Sequence, residues 1–384
     1  MAPPTTAPVY QLTDKALSPK EIIKGPSTYA NTINEGPSVL KNWSGPLKVS
    51  GALDTAYKFK EITPAIGREY PDLQLKDVLE NEEQLRDLAI TISRRGVVFF
   101  RNQDITIAQQ KKLADQLGKL AGKPETSGLH IHPVAPAGGF LKEGSDEIDE
   151  EVSIITSKIN NDVYNNARIA FRKSSEKYHT DVNFEPVPAD YTTLRIIETP
   201  DHGGDTLWAS GYSLYDKLSP SLRAYLETLV GTYSQPTFKD STKGEHGIYS
   251  AKRGAPENFG DELIAKHPVV RTNPVTGWKS IFSLGTHFTS FDGLTEDEST
   301  LLKTYIHNLL VSSHDIQVRF KWNKNDMAIW DNRSVFHTAT NDYPIGAGTV
   351  VRTGVRTVSV GERPFFSEKS KSREEDLYEN KLLV

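Results

Sequence analysis

Tyr178 to Glu185 reads YHTDVNFE, and the reading of this stretch governs how the rest of the chain must be arranged. His179 and Asp181 stand two apart among apolar and aromatic neighbours, so an extended strand sends both side chains from one face. Held that way they are two legs of a 2-His-1-carboxylate site, which keeps positions on Fe(II) open and needs a second histidine from elsewhere. Of the ten histidines, only His179 is followed two residues later by a carboxylate. The same pattern also suits a surface pair, or a core histidine with a hydrogen-bonded carboxylate, so the remainder of the chain has to decide.

The composition removes several alternatives. No cysteine is present, so disulfides, thiolate catalysis and cysteine-ligated zinc are excluded, and a protein-bound metal must use histidine and oxygen ligands. The net charge of -5 gives no basic footprint for nucleic acid. No apolar run reaches the length of a membrane-spanning helix. The Pro/Thr-rich start, MAPPTTAPVYQLTDKALSPK, lacks the basic opening and apolar core of a secretory signal, which makes the cytoplasm the expected location.

Residues 1–67 carry scattered proline and glycine without periodicity and are expected to form an irregular N-terminal extension, partly packed through Trp43. Helical spacing is present over Leu79 to Gly96 and over Ile105 to Leu120, with the short buried strand GVVFF between them. His130 and His132 alternate with apolar residues in GLHIHPVAP, as on a strand. The acidic run Glu143 to Glu151 reads as a solvated loop. Strands are expected at Tyr191–Glu198, Thr206–Ser210, His267–Thr272, Lys279–Phe282, Ile316–Trp322, Asp326–Asp331 and Val350–Val360, interrupted by helices over Leu214–Val230 and Glu296–Val311. Residues 367–384 form a charged C-terminal tail. This pattern is mainly β with flanking helices (α+β), and with the His/Asp pair it favours a double-stranded β-helix, or jelly roll, over residues 68–366.

Strands that meet across a jelly-roll mouth are distant in sequence, so the missing ligand is sought far downstream. His337, in NRSVFHTATND, is the best candidate, although a histidine there also suits the cap of a turn. Arg352 and Arg356 follow in RTGVRTVSV; on a strand they share a face, which is unusual for a buried strand unless an anion sits between them. The planar fork of arginine suits a carboxylate.

Taken together, YHTDVNFEP, GGDTLWAS, HPVVRTNPVTG, AIWDNRSVFH and the Arg352/Arg356 pair resemble, in the same order, the taurine dioxygenase (TauD/TfdA-like) family of Fe(II)/2-oxoglutarate-dependent oxygenases. The resemblance spans roughly Arg94 to Phe366. It implies that His179, Asp181 and His337 bind Fe(II), and that Arg352 and the Thr206 hydroxyl bind the distal carboxylate of 2-oxoglutarate. Succinate and carbon dioxide are then released as dioxygen is used to oxidise an unactivated C–H bond. The resemblance further implies that His132, Arg356 and the backbone of Val182 hold a small anionic substrate, with Phe288 as a pocket wall. Each also has a plainer reading: Thr206 as a β-branched strand residue, His132 as a satisfied strand histidine, Arg356 as a surface charge, and Phe288 as core. Ala135, Ser175 and Tyr178 depart from the taurine enzyme, and the segments after His132 and His337 are longer. Taurine itself is therefore in doubt, and the expected substrate is a sulfonate or alkyl sulfate, with an amino acid or other carboxylate as the alternative. A dimer or tetramer is the assembly the family leads one to expect.

Overall fold

A computed structural model describes residues 36–41, 43–134, 139–141, 148–157, 173–241, 248–343 and 351–380. Its centre is an eight-stranded sheet. Across that sheet the order is Lys60–Glu61, Arg68–Tyr70, Val97–Phe100, Met327–Asp331, Ala189–Glu198, Thr353–Val360, Ile148–Thr156 and Gly139–Leu141. Its pairings are antiparallel except that of Arg68–Tyr70 with Val97–Phe100. A second, three-stranded sheet of Gln317–Phe320, Thr206–Ser210 and Val335–Ala339 faces it, and the two open layers form the jelly-roll core.

The sequence of Val97 to Phe100 explains why this sheet is covered on both sides. Val97 and Phe99 point into the sandwich with Trp208, Phe320, Trp322 and Trp330, whereas Val98 and Phe100 point outward to the helices Glu82–Arg95 and Ile107–Leu120. Four consecutive apolar residues are what a strand buried on both faces requires. Phe99 stacks on Phe320 with centroids 4.2 Å apart, and it meets Trp208 edge-on at 5.3 Å. Truncating one of these rings to alanine costs about 3–5 kcal/mol.

Several sequence expectations are refined here. The helix expected from Leu79 begins at Glu82, because Asn81 caps it by accepting from Gln84 N, and it ends at Gly96. Leu214–Val230 is two short helices, Gly211–Asp216 and Pro220–Leu226, since Ser219 caps a new helix with Pro220 in its first turn. His267–Thr272 divides into Ile264–Pro268 and Val270–Thr272. Part of the expected acidic loop is strand: Asp149 and Glu151 lie on Ile148–Thr156, where both carboxylates pair with Lys111.

The flanks of the domain expected at 68–366 also make contacts with it. Trp43 Nε1 donates to Pro274 O (2.9 Å), and the strand Lys60–Glu61 pairs at the sheet edge. Near the other end, helix Arg373–Glu379 carries a capping box, and Asp376 accepts a hydrogen bond from Trp278 Nε1 (2.8 Å). Among the described residues, no helix is long and apolar enough to cross a membrane.

Candidate active site

The HTD stretch is not a strand. His179 makes a single antiparallel bridge to His337, after which residues 181–184 turn away. Val182 takes a φ of 48°, the left-handed region that β-branched residues avoid. Such a conformation costs on the order of 1–3 kcal/mol and persists only when its surroundings hold it there. They do. Asn332 Oδ1 accepts from Asp181 N (3.0 Å), Asn183 O accepts from His267 Nε2 (2.9 Å), and Glu185 is buried against Arg253. The turn therefore aims Asp181 where a continuous strand would not.

Backbone pairing brings the two histidines together: His337 N donates to His179 O (2.8 Å) and His179 N to His337 O (3.1 Å). Their ring centroids are 4.2 Å apart. His337 thus stands on the strand Val335–Ala339 rather than capping a turn, with the Trp330 ring 4.8 Å from its own. One ligating atom from each of His179, Asp181 and His337 lies within 4.8 Å of the others.

The donor set fits a divalent metal. Lys177 O accepts from His179 Nδ1 (2.8 Å), which leaves Nε2 as the lone pair. His337 is pushed down to about 3 by burial and then by the neighbouring His179, so it is a neutral imidazole, and its buried Nδ1 has no hydrogen-bond partner. Burial alone would raise the Asp181 carboxyl. Arg356 and the two imidazoles outweigh it and hold the acid well below the usual carboxylate range. Arg356 Nη1 donates to Asp181 Oδ1 (2.7 Å), and the Thr192 hydroxyl donates to Oδ2 (2.9 Å). Two imidazoles and one ionised carboxylate, with no thiolate available, make a donor set that suits non-haem Fe(II).

Arg352 sits just before the strand Thr353–Val360, not on it, and its hydrogen-bond partners differ from those of Arg356. It is buried, donating from Nε to Gly204 O (2.7 Å) and from Nη2 to Thr206 Oγ1 (3.2 Å). Gly204, at a φ of 69°, lets the backbone approach this closely: a Cβ there would lie 3.0 Å from Arg352 Cδ. Trp322 Nε1 also donates to Thr206 Oγ1 (3.0 Å). With both incoming bonds accepted, the Thr206 proton is free to donate outward.

His132 follows an extended segment rather than a regular strand; its Nδ1 accepts from Val134 N (3.3 Å), and its ring lies 5.1 Å from that of Phe238. Burial and the Arg356 charge hold it well below the ordinary histidine value. Phe288, expected at the pocket wall, packs with Tyr233 (5.5 Å) and Phe291 (4.6 Å) beneath Lys303. Its neighbour His287 is the side chain that meets His179, at 5.9 Å. Sequence reasoning passed over His287, Asn183, Thr192 and Asn332; His287 lies in the turn just before the strand Phe288–Phe291, where no spacing marks it. Ser175 lies in a single turn of 3₁₀ helix, Ser174–Lys177. Ala135, the IGAG stretch and the segments 135–138, 142–147 and 158–172 lie outside the described residues.

Residues 58–357 match the family model described as "Taurine catabolism dioxygenase TauD, TfdA family". The chain belongs to the TauD/TfdA family. It is 43% identical over 346 residues to the "Alpha-ketoglutarate-dependent dioxygenase btcD" of Neocamarosporium betae, covering 86% of this chain and 98% of that one. It is 32% identical to the "Alpha-ketoglutarate-dependent sulfonate dioxygenase" of Saccharomyces cerevisiae, covering 80% and 68%. Among solved structures, a "Putative Alpha-ketoglutarate-dependent Taurine Dioxygenase" from Burkholderia xenovorans superposes with a TM-score of 0.61 at 26% identity, covering 82% and 93%. This TauD/TfdA protein is an Fe(II)/2-oxoglutarate-dependent dioxygenase, with dioxygen as the second co-substrate.

Proposed function

We propose that His179, Asp181 and His337 hold Fe(II), that Arg352 and Thr206 bind the distal carboxylate of 2-oxoglutarate, and that Arg356, His132 and the backbone of Val182 hold the anion of a small organic substrate. A sulfonate or alkyl sulfate is the class we favour. When bound, iron with 2-oxoglutarate and dioxygen supplies the oxidising chemistry that couples succinate and carbon dioxide release to oxidation of a C–H bond. The protein's task is to fix the ligands, exclude bulk water and position the target carbon.

The observation that carries this reading is the division of labour between two arginines four residues apart. Arg352 is engaged at Thr206 and Gly204, and Arg356 at Asp181. A guanidinium has five donors, and the buried Nε of Arg356 has no partner. Arg356 can therefore balance the iron ligand and still offer N–H groups to a substrate anion. The sulfonate named for the yeast relative agrees with that chemistry. We assign the activity to one domain over residues 68–366, place it in the cytoplasm, and expect a homo-oligomer.

Succinate release, screened against alkyl sulfonates, alkyl sulfates and amino acids, tests the substrate class. Coupled turnover with a sulfonate or sulfate ester supports it. Coupled turnover with amino acids alone replaces it with the carboxylate class, which the same guanidinium can hold.

A further inference from the structure

Three contacts staple the segment Ser283 to His287 onto the turn that carries Asp181. Thr286 N donates to Tyr178 O (3.2 Å), and Asn183 Nδ2 donates to Ser283 Oγ. His287 Nδ1 meets Asn183 Oδ1 at 2.9 Å. Ser283, like Val182, has a positive φ (44°), so both sides of this junction are held in an unfavourable backbone conformation. An arrangement paid for twice in backbone strain places one side chain, the half-buried imidazole of His287.

The hydrogen bonds fix the tautomer of that imidazole. The Asn183 amide nitrogen is turned to Ser283, so the atom facing His287 is the amide oxygen, an acceptor. His287 Nδ1 must carry the proton, and in a neutral ring Nε2 is then a bare lone pair. Nε2 has no hydrogen-bond partner among the described residues. The ring stands edge-on to His179 (5.9 Å) and to Phe184 (5.4 Å). His287 thus stands beside one of the three side chains proposed to hold iron.

We propose that His287 Nε2 is a substrate-recognition acceptor, selecting anions that carry an O–H or N–H donor beside the chain to be oxidised. This rests on the reading of the triad and Arg356 given above. Recognition is then two-pointed: the anion to Arg356 and the donor to His287. An alkyl anion lacking the donor would leave a desolvated acceptor unpaired, which a polar site rejects more strongly than it rejects a change of size.

Three sulfonates of equal length separate the possibilities: 2-aminoethanesulfonate, 2-hydroxyethanesulfonate and propane-1-sulfonate. Their Kd values are measured by calorimetry on the anaerobic protein with Fe(II) and 2-oxoglutarate. The expected result is at least about tenfold tighter binding of a donor-bearing member than of propane-1-sulfonate. His287→Phe should bring that ratio to within about twofold and leave the Kd for 2-oxoglutarate unchanged. Equal binding of all three, binding of none, or a ratio that survives His287→Phe overturns the proposal. A wild-type ratio near one overturns the proposal even if the variant fails to fold, and His287→Gln, which keeps a polar side chain of similar reach, serves as the second variant. The weak visible band of the Fe(II)/2-oxoglutarate complex is recorded on the same sample: its absence faults the iron reading, while the donor preference stands or falls on the Kd values.

Discussion

Arg356 donates from Nη1 to Asp181 Oδ1 at 2.7 Å, so a guanidinium is bound to one of the side chains proposed to hold iron. Asp181 is 3% exposed and would resist ionisation in such a place without it. Arg356→Ala should remove both this support and the substrate's anchor. KM for the anionic substrate should rise about thirtyfold, corresponding to about 2 kcal/mol, with the Kd for 2-oxoglutarate changed by less than about threefold. Steady-state kinetics and a 2-oxoglutarate titration of the variant check this. Equal losses for the two ligands would contradict separate roles.

Arg352→Ala should have the complementary effect. Its guanidinium is buried beside Thr206, and the loss of two charge-assisted hydrogen bonds to the distal carboxylate should weaken 2-oxoglutarate roughly a hundredfold. Trp322→Phe removes one donor to Thr206 Oγ1 and keeps a smaller aromatic side chain, so a smaller loss, of about threefold to tenfold, is expected in the same titration.

Much of this was legible in the sequence, and the reasons differ from residue to residue. VVFF announced a strand buried on both faces, and Thr206–Ser210 was placed correctly because Gly203-Gly204 before it and Gly211 after it punctuate the run. The Asp181 turn was not legible, because the spacing H-x-D is the same whether the chain is extended or bent at Val182. Tertiary bonds, those from Asn332 and His267 and the Glu185–Arg253 pair, select the bend. Arg352 and Arg356 were read as sharing a strand face; since the strand begins at Thr353, the first arginine is free to turn toward Gly204. His287 was overlooked in favour of Phe288 because the aromatic neighbour fitted the family's pattern.

Gly285 should be intolerant of substitution. A Cβ at this position would lie 1.8 Å from Tyr178 O and 3.1 Å from His179 Cα, both backbone atoms that cannot move without carrying the His179 imidazole, a proposed iron ligand, with them. Gly285→Ala should lower stability by roughly 3 kcal/mol or more and weaken Fe(II) binding in parallel. Thermal unfolding and metal titration of the variant read both effects.

Asp216 supplies a pH prediction. Burial pushes its carboxyl up to about 6, although the Ser372 hydroxyl and Arg223 act to lower it, and its buried Oδ1 has no partner. The folded chain therefore holds this proton more tightly than the unfolded chain does. The associated stability is fully present below the ordinary value of 3.8 and is lost as pH rises to about 6. Asp216→Asn should raise Tm by on the order of 1–2 °C at pH 8. The gain should shrink as the buffer is taken down to pH 5, as scanning calorimetry at the two values would reveal.

His179 and Asp181, with His337 remote from them in sequence, are proposed to make one iron centre beside a 2-oxoglutarate site. Anaerobic addition of Fe(II) and 2-oxoglutarate to the wild type and to His337→Ala, followed by visible absorption, tests it most directly. A weak charge-transfer band should form in the wild type and disappear in the variant, together with a large loss of Fe(II) affinity. The same band and the same metal affinity in both proteins would contradict it.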